Sequence, residues 1–243
     1  MKITVIGYRG SFPGKNEATS GYLVQSGDKN LLIDCGSAVL SQLSNYIDLN
    51  MIDAVILSHY HADHISDIYC LQYQTAAAYK LGMRKKPLEI YAHNLDKKFN
   101  NLTYKNFCIA HPIDPDAKLS FGDLNIAFQW MNHGAPCLGM RLEEKGRVFA
   151  YSADTEWCER VLEISQNADI FLCECSLFNR QTGQLKGHLS AGEVGKIAVN
   201  SNVKKLVLTH LPQYGDLNEL VKEAKEQFSG EVIKARVGLV LEL

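Results

Sequence analysis

The chain predicts an α/β fold built from two similar halves whose β-sheets pack face to face. Strand-like apolar runs recur from end to end, helical patterns interrupt them, and one segment of the first half is echoed in the second. Asp53-Ala54-Val55-Ile56-Leu57-Ser58-His59 and Lys205-Leu206-Val207-Leu208-Thr209-His210 are each an apolar strand, then Ser or Thr, then His. Open α/β sheets place ligands at the carboxyl ends of strands, so the echo marks two equivalent ends that each deliver a histidine.

The predicted strands are KITVIG, YLVQS, NLLIDCG, AVILSH, LEIYAH, LNIAFQWM, GMRLEE, RVFAYSAD, DIFLCECS, KLVLTH and the closing EVIKARVGLVLEL. The last alternates cleanly, with Ile233, Ala235, Val237, Leu239, Leu241 and Leu243 on one face. Among the helices, Ser66 is expected to cap one running to about Leu81. Ser190 with Glu193 forms a capping box that opens a helix to about Asn200. Asp216 with Glu219 forms another, followed at helical spacing by Leu217, Leu220, Val221, Ala224 and Phe228 before Gly230 ends it.

At 243 residues the chain reads as one domain able to bury a sizeable core. No apolar run reaches the ~18 residues a membrane span needs. The apolar part of MKITVIGYRG is too short for a signal peptide and reads as a first strand, which makes the cytoplasm the expected compartment. Seven scattered cysteines without a CxxC pair agree, and are expected to be free thiols. The net charge of −2 excludes a globally basic nucleic-acid binder, but the charge is uneven. Residues 79–105 hold Lys80, Arg84, Lys85, Lys86, Lys97, Lys98 and Lys105 against Glu89 and Asp96. That stretch is either a solvated basic face or a polyanion contact.

The chemistry concentrates in ILSHYHADHI, residues 56–65. Three of the chain's eight histidines, His59, His61 and His64, fall within six positions with Asp63 between them. Residues 59 and 61 alternate to one side of an extended segment, while Asp63 and His64 at the turn into a helix aim at a second point. Two ligand pairs thus serve two ions, which need a separation of about 3.5–4 Å.

This HxHxDH turn resembles the hallmark of the metallo-β-lactamase fold, a four-layer αβ/βα sandwich. Further matches follow in that family's order. Asp34 in LLIDCG matches an aspartate that supports the metal loop by hydrogen bonds. His133 in MNHGAPCLGMRLE, Asp154 in FAYSADT and His210 in LVLTH match later ligand positions. The resemblance implies one site of His59, His61 and His133, a second of Asp63, His64 and His210, and Asp154 as the bridge between them. A carboxylate suits a bridge because each of its oxygens can hold one ion.

Two stretches are similar to the ribonuclease Z (tRNase Z) branch of that fold. DIFLCECSL resembles a strand carrying a glutamate, here Glu174, and GHLSAGEVGKIA resembles a His-Ser motif opening a helix, here His188. Where the branch has a first-motif glutamate this chain has Ser37, and Ala92-His93 replaces a Gly-Pro. The branch's tRNA-gripping arm, inserted between the histidine at 133 and the aspartate at 154, is absent. Those positions are only 21 apart and are filled by the predicted hairpin LGMRLEEKGRVFAYS.

The resemblance implies a binuclear hydrolase acting on RNA or nucleotide-like phosphodiesters. The expected cofactors are two Zn²⁺ ions, with Mn²⁺ as the alternative for an N/O-only ligand set. Metal-bound hydroxide would attack phosphorus, Asp63 would orient or deprotonate that water, and His188 held by Glu174 would protonate the leaving oxygen. The partner is a small phosphodiester or an RNA, and ribonuclease Z kinship implies a homodimer. Two other readings stay open: a carbon-ester, lactone or thioester hydrolase using an oxyanion donor, and a non-catalytic RNA-binding protein that kept its metals. His93 and His111 fit no ligand pattern and are expected in loops or as satisfied core side chains.

Overall fold

The computed structural model describes residues 1–243. Its first six strands are Lys2–Gly7 (β1), Gly21–Ser26 (β2), Lys29–Ile33 (β3), Ala54–Ile56 (β4), Leu88–Ala92 (β5) and Cys108–Pro112 (β6). They form one sheet, joined at its edge by the last strand of the chain. The second sheet comprises Lys118–Phe121 (β7), Leu124–Trp130 (β8), Leu138–Glu144 (β9), Arg147–Tyr151 (β10), Ile170–Glu174 (β11), Lys205–Thr209 (β12) and Glu231–Lys234 (β13). Val240–Glu242 (β14) then crosses back and pairs antiparallel with β1. The helices are Val39–Leu43 (α1), Ala62–Ile65 (α2), Ile68–Lys80 (α3), Glu159–Ser165 (α4), Ala191–Asn200 (α5) and Leu217–Lys225 (α6).

Strand alternation explains the layering, because successive side chains leave a strand on opposite faces. Tyr22, Val24, Leu31, Ile33 and Ile56 point inward and meet Ile126, Phe128, Met140 and Leu142 of the second sheet in a core of 47 buried residues. Leu23, Leu32, Val55 and Ile90 point outward into a second cluster, covered by Val39 and Leu43 of α1 and by Ile68 and Leu71 of α3. Val161 of α4, Val194 and Ile197 of α5 and Leu220 of α6 cover the second sheet. The result is helices, sheet, sheet, helices: the four-layer α/β sandwich.

Strands β3 to β6 run parallel, as do β10 to β13, so each sheet gathers carboxyl ends along one rim. The echoed segments occupy equivalent places there. Strand β4 leads to His59 and β12 to His210, and a 2.7 Å hydrogen bond between Tyr22 Oη and Thr209 Oγ1 ties the sheets together beside them.

Several elements depart from expectation. The run 231–243 is two strands in two different sheets, since alternation reports a face and not the sheet it belongs to. Ser66 caps no helix start: it ends α2 and its hydroxyl donates back to Ala62 O, while α3 begins after Asp67, whose carboxylate accepts from the Leu40 amide instead. Helix α6 stops at Lys225, short of Phe228. Asp216 accepts from Asn218 N–H, and Glu219 closes no box but pairs with Arg180. By contrast, Ser190 and Glu193 close the box that opens α5. The segment 138–151 is an antiparallel hairpin of β9 and β10 with no inserted arm.

Candidate active site

The HxHxDH segment leaves β4, turns at Ser58 and enters α2 with His61 at its N-cap position, which leaves Asp63 and His64 in the single turn that follows. His133 sits in the β8–β9 loop, closed by Met131 N–H donating to Cys137 O and held to the motif by Leu138 N–H donating to Ser58 O. Asp154 follows β10, and His210 follows β12. Three residues around the cluster, Asp34, Ala153 and His210, adopt φ of 56°, 50° and 52°, a left-handed conformation costly for non-glycine residues and concentrated at functional sites.

These turns bring seven side chains together. The ligand atoms of His59, His61, His133 and Asp154 lie within 4.8 Å of one another, as do those of Asp63, His64 and His210. Asp154 reaches both groups: Oδ1 is 3.4 Å from His64 Nε2, while Oδ2 is 3.4 Å from His210 Nε2 and 3.7 Å from Nε2 of both His59 and His133. A third overlapping group joins Asp154, His210 and His188.

Outer partners decide which imidazole nitrogen faces the centre. Nδ1 of His64 is bonded to Asp34, of His133 to Gly187 O, of His210 to Ser176 Oγ and of His59 to Ser58 Oγ, at 2.8–3.0 Å. Each of the four therefore turns Nε2 inward, the arrangement typical of metal-ligating histidines. Asp34 is fully buried and also accepts from the Ser58 amide, Ser58 Oγ and Tyr151 Oη.

The electrostatics follow from this crowding. Burial and the neighbouring His64 hold His59 well below the ordinary histidine value, and burial with His133 lowers His61. Burial also opposes charge on His64, but Asp154 and Asp34 overcome it and raise that group. Against its own desolvation, Asp63 is lowered by the hydrogen bond from His210 and by the charges of His64 and His210. Asp154 is likewise lowered, by His210 and His64.

The cluster fits divalent cations. His59 Nε2, His64 Nε2 and Asp154 Oδ1 are buried without a hydrogen-bond partner, and each orphaned buried polar group costs about 1–3 kcal/mol. Three such atoms converging on one centre are what a cation would satisfy. His59, His61, His133 and Asp154 would hold one ion, and Asp63, His64, His210 and Asp154 the other. Nitrogen and oxygen donors of this kind suit zinc and manganese alike.

Beside the cluster, Glu174 at the end of β11 bonds His188 Nδ1 through Oε1 at 2.9 Å and accepts from Ser176 Oγ through Oε2 at 2.7 Å. Ser176 Oγ in turn lies 2.9 Å from His210 Nδ1. One buried carboxylate thus braces His188 directly and His210 through a hydroxyl. Burial opposes the His188 imidazolium, but the Glu174 charge and hydrogen bond outweigh it and raise its pKa to about 9.

The basic stretch does not form one patch. Lys85 and Lys86 precede β5 and Lys97 and Lys98 follow it, so a strand of five residues, about 16 Å at ~3.3 Å per residue, separates the pairs. Only Lys97 and Lys98 lie at the rim that carries the cluster, and Lys98 Nζ donates to Tyr60 O at 2.9 Å. Arg84 is buried, with its guanidinium donating to the carbonyls of Asn50, Lys86 and Pro87, so it offers nothing to a polyanion. Lys80 lies over the Phe107 ring. Neither leftover histidine joins the cluster. His93 is buried and accepts from the Leu95 amide, while His111 is a strand residue paired with Glu89.

Ser58, Ser176, Tyr151 and Ser11, whose amide donates to Asp63 Oδ2 at 2.8 Å, escaped the sequence reading. So did Glu156, which accepts from Asn132 Nδ2 and the Gly187 amide and so clamps the two loops that carry His133 and His188. Ser58 and Ser176 stand beside motif residues, the one signal available; nothing marks the others.

Fold and ligand cluster together define a metallo-β-lactamase protein, and the chain belongs to that superfamily: the model described as beta-lactamase superfamily domain matches residues 29–211. The chain is 44% identical over 243 residues to the probable metallo-hydrolase YhfI of Bacillus subtilis (strain 168), covering 100% of both. The crystal structure of YhfI matches with a TM-score of 0.97 over 100% of this chain and 99% of that one. Ribonuclease Z of Methanosarcina mazei is 26% identical over 294 residues, covering 96% of this chain and 95% of that protein. The human short-form tRNase Z shares the fold, with a TM-score of 0.78 at 18% identity over 100% of this chain and 99% of that one. These relatives and the His/Asp cluster set the chain among metallo-hydrolases related to ribonuclease Z. No helix is long and apolar enough to cross a membrane.

Proposed function

We propose that this protein is a metal-dependent phosphodiesterase acting on nucleotide-like phosphodiesters, with two Zn²⁺ ions as its cofactors. The Glu174–His188 pair beside the ligand cluster carries this reading. Phosphodiester cleavage near neutral pH needs a proton for the departing alkoxide, and a histidine braced by a buried carboxylate is suited to deliver one. The bound ions would supply Lewis-acid stabilisation of phosphoryl charge and acidify the attacking water.

The remaining roles fall to the chain's own groups. Asp63, anchored by the Ser11 amide and His210, orients the attacking water with a carboxylate kept ionised. His188 donates its proton from Nε2, because Glu174 occupies Nδ1. Glu174 stabilises the imidazolium before transfer and fixes the ring plane throughout. Ribonuclease Z kinship supports a phosphodiester substrate, and the plain β9–β10 hairpin, without an arm to grip folded RNA, favours a small one. The same kinship supports a homodimer, which light scattering tests.

The decisive experiment is hydrolysis of bis(p-nitrophenyl) phosphate by protein loaded with Zn²⁺ and, separately, with Mn²⁺. Turnover abolished by chelator and restored by metal is the expected result. Protein that binds two ions per chain yet releases no nitrophenolate would overturn the reading.

A further inference from the structure

One recess opens directly onto His188 and His210. Its volume is about 150 Å³, and its lining includes Ser11, Phe12, Leu185, Gln213 and Tyr214. That is below the ~300–1,000 Å³ of a whole small-molecule site and suits one part of a ligand. None of its lining residues is Asp, Glu, Lys or Arg. Phe12, Leu185 and Tyr214, which stand at its mouth, are each more than half exposed. Scattered exposed apolar side chains need no explanation, but three converging on one recess beside a candidate catalytic histidine do.

The walls are built rather than loose. Arg9 Nη1 donates to Pro212 O at 2.6 Å, the Gly10 amide donates to Leu211 O at 3.1 Å, and Gln213 Nε2 donates to Phe12 O. These bonds lock the loop after β1 to the loop after β12, so Phe12 and Tyr214 are carried on one unit. Tyr214 is steadied from behind by the Phe178 ring, 6.1 Å away, and by Gln181 on its hydroxyl. The Ser11 amide fastens the same unit to Asp63.

We infer that this recess is the subsite for the flat base of a nucleoside phosphodiester, with Phe12 and Tyr214 as the specificity-determining side chains; the inference rests on the phosphodiesterase reading and names its substrate class. Charge and shape argue for it together. The phosphoryl group belongs at the ligand cluster and His188, whereas the part of the recess bounded by Phe12, Leu185 and Tyr214, free of carboxylate, lysine and arginine, suits the neutral, planar part of the same molecule. Aromatic faces hold bases by stacking with little regard to sequence, because every base has a π-face.

The test compares two esters with the same p-nitrophenolate leaving group, thymidine 5′-(p-nitrophenyl phosphate) and methyl p-nitrophenyl phosphate, on the metal-loaded full chain. The native protein is expected to prefer the thymidine ester, and a Phe12→Ala/Tyr214→Ala double variant to lose about 10-fold of that kcat/KM ratio, the scale of one lost stack. Conservative Phe12→Tyr is expected to keep the ratio. A ratio near one in the native protein, or a ratio in the double variant within about two-fold of native, overturns the subsite. Calorimetric binding of thymidine 5′-monophosphate separates the two claims. If neither ester is cleaved, the phosphodiesterase reading falls, while binding weakened about 10-fold by the double variant still sustains the subsite. Binding that is absent or unchanged overturns it.

Discussion

Glu174 Oε1 lies 2.9 Å from His188 Nδ1 while Oε2 of the same carboxylate holds Ser176, the hydroxyl that bonds His210. A single buried side chain therefore positions the candidate proton donor and a candidate metal ligand. That arrangement lets their roles be separated, because His188 touches the carboxylate directly and His210 does so only through Ser176.

His188→Ala is expected to lower turnover by about 10²–10⁴-fold, the usual worth of a general acid, and to leave two ions bound per chain. Steady-state kinetics with elemental analysis of the metal checks both halves. Loss of an ion along with activity would make His188 a ligand, a role that its closeness to Asp154 and His210 allows.

The pH profile has a defined sign. Burial works against the His188 imidazolium, yet Glu174 raises its pKa from 6.5 to about 9, so the acid form dominates below that value and is lost as pH rises through it. Bound cations repel the imidazolium and draw the value back. The alkaline limb of kcat/KM is therefore expected between 6.5 and about 9, and Glu174→Gln should move it toward the lower end. A limb that stays in place in Glu174→Gln would mean another group reports it.

Gly10→Ala tests the approach of the loop after β1 to the metal cluster. A Cβ there would stand 2.8 Å from His210 Cε1 and 2.9 Å from Nδ1, so the imidazole must move or the loop must lift, taking the Ser11 contact to Asp63 with it. Metal affinity is expected to fall about 10–100-fold, as when an outer partner of a ligand is removed. Zinc competition with a chromophoric chelator measures it, and native affinity in the variant would show that the loop yields freely.

The two lysine pairs should behave differently. Lys97→Ala/Lys98→Ala is expected to raise KM for an anionic substrate several-fold at low salt, an effect fading as ionic strength approaches 0.15 M and the screening length falls to about 8 Å. Lys85→Ala/Lys86→Ala, at the other end of β5, should have the smaller effect at low salt and change KM by less than about two-fold at 0.15 M, where the strand's length is about twice the screening length. Equal effects from both pairs would mean that substrate runs the length of the strand.

Much of the molecule was legible from residue order because the relevant physics is local. HxHxDH puts four donors within six positions, so one strand end and one helical turn suffice to aim them. Alternation marks the core-facing side chains of β5 and β8, continuous apolar runs mark β4, β11 and β12 as buried on both faces, and a capping box needs only positions 190 and 193. These elements were visible without knowing what packs against them. His133 and Asp154 were legible only by their likeness to a family order, and His210 by that likeness and the strand-end echo, because nothing in their spacing says that three loops from different strands meet.

Tertiary structure decided the remainder, because each undecided matter depended on contacts between distant parts of the chain. Alternation through 231–243 could not say that β13 and β14 belong to different sheets. Charge counting could not say that Arg84 is enclosed by three carbonyls, or that β5 separates the lysine pairs. Nor could order reveal that the Ser11 amide reaches Asp63, 52 residues on, or that Tyr151 reaches Asp34 across the core between the sheets. The residue types and local turns of the candidate centre come from the sequence. The choice of nitrogen on His64, His133 and His210 comes from partners that tertiary contacts bring beside them, Asp34, the Gly187 carbonyl and Ser176, each distant in the chain.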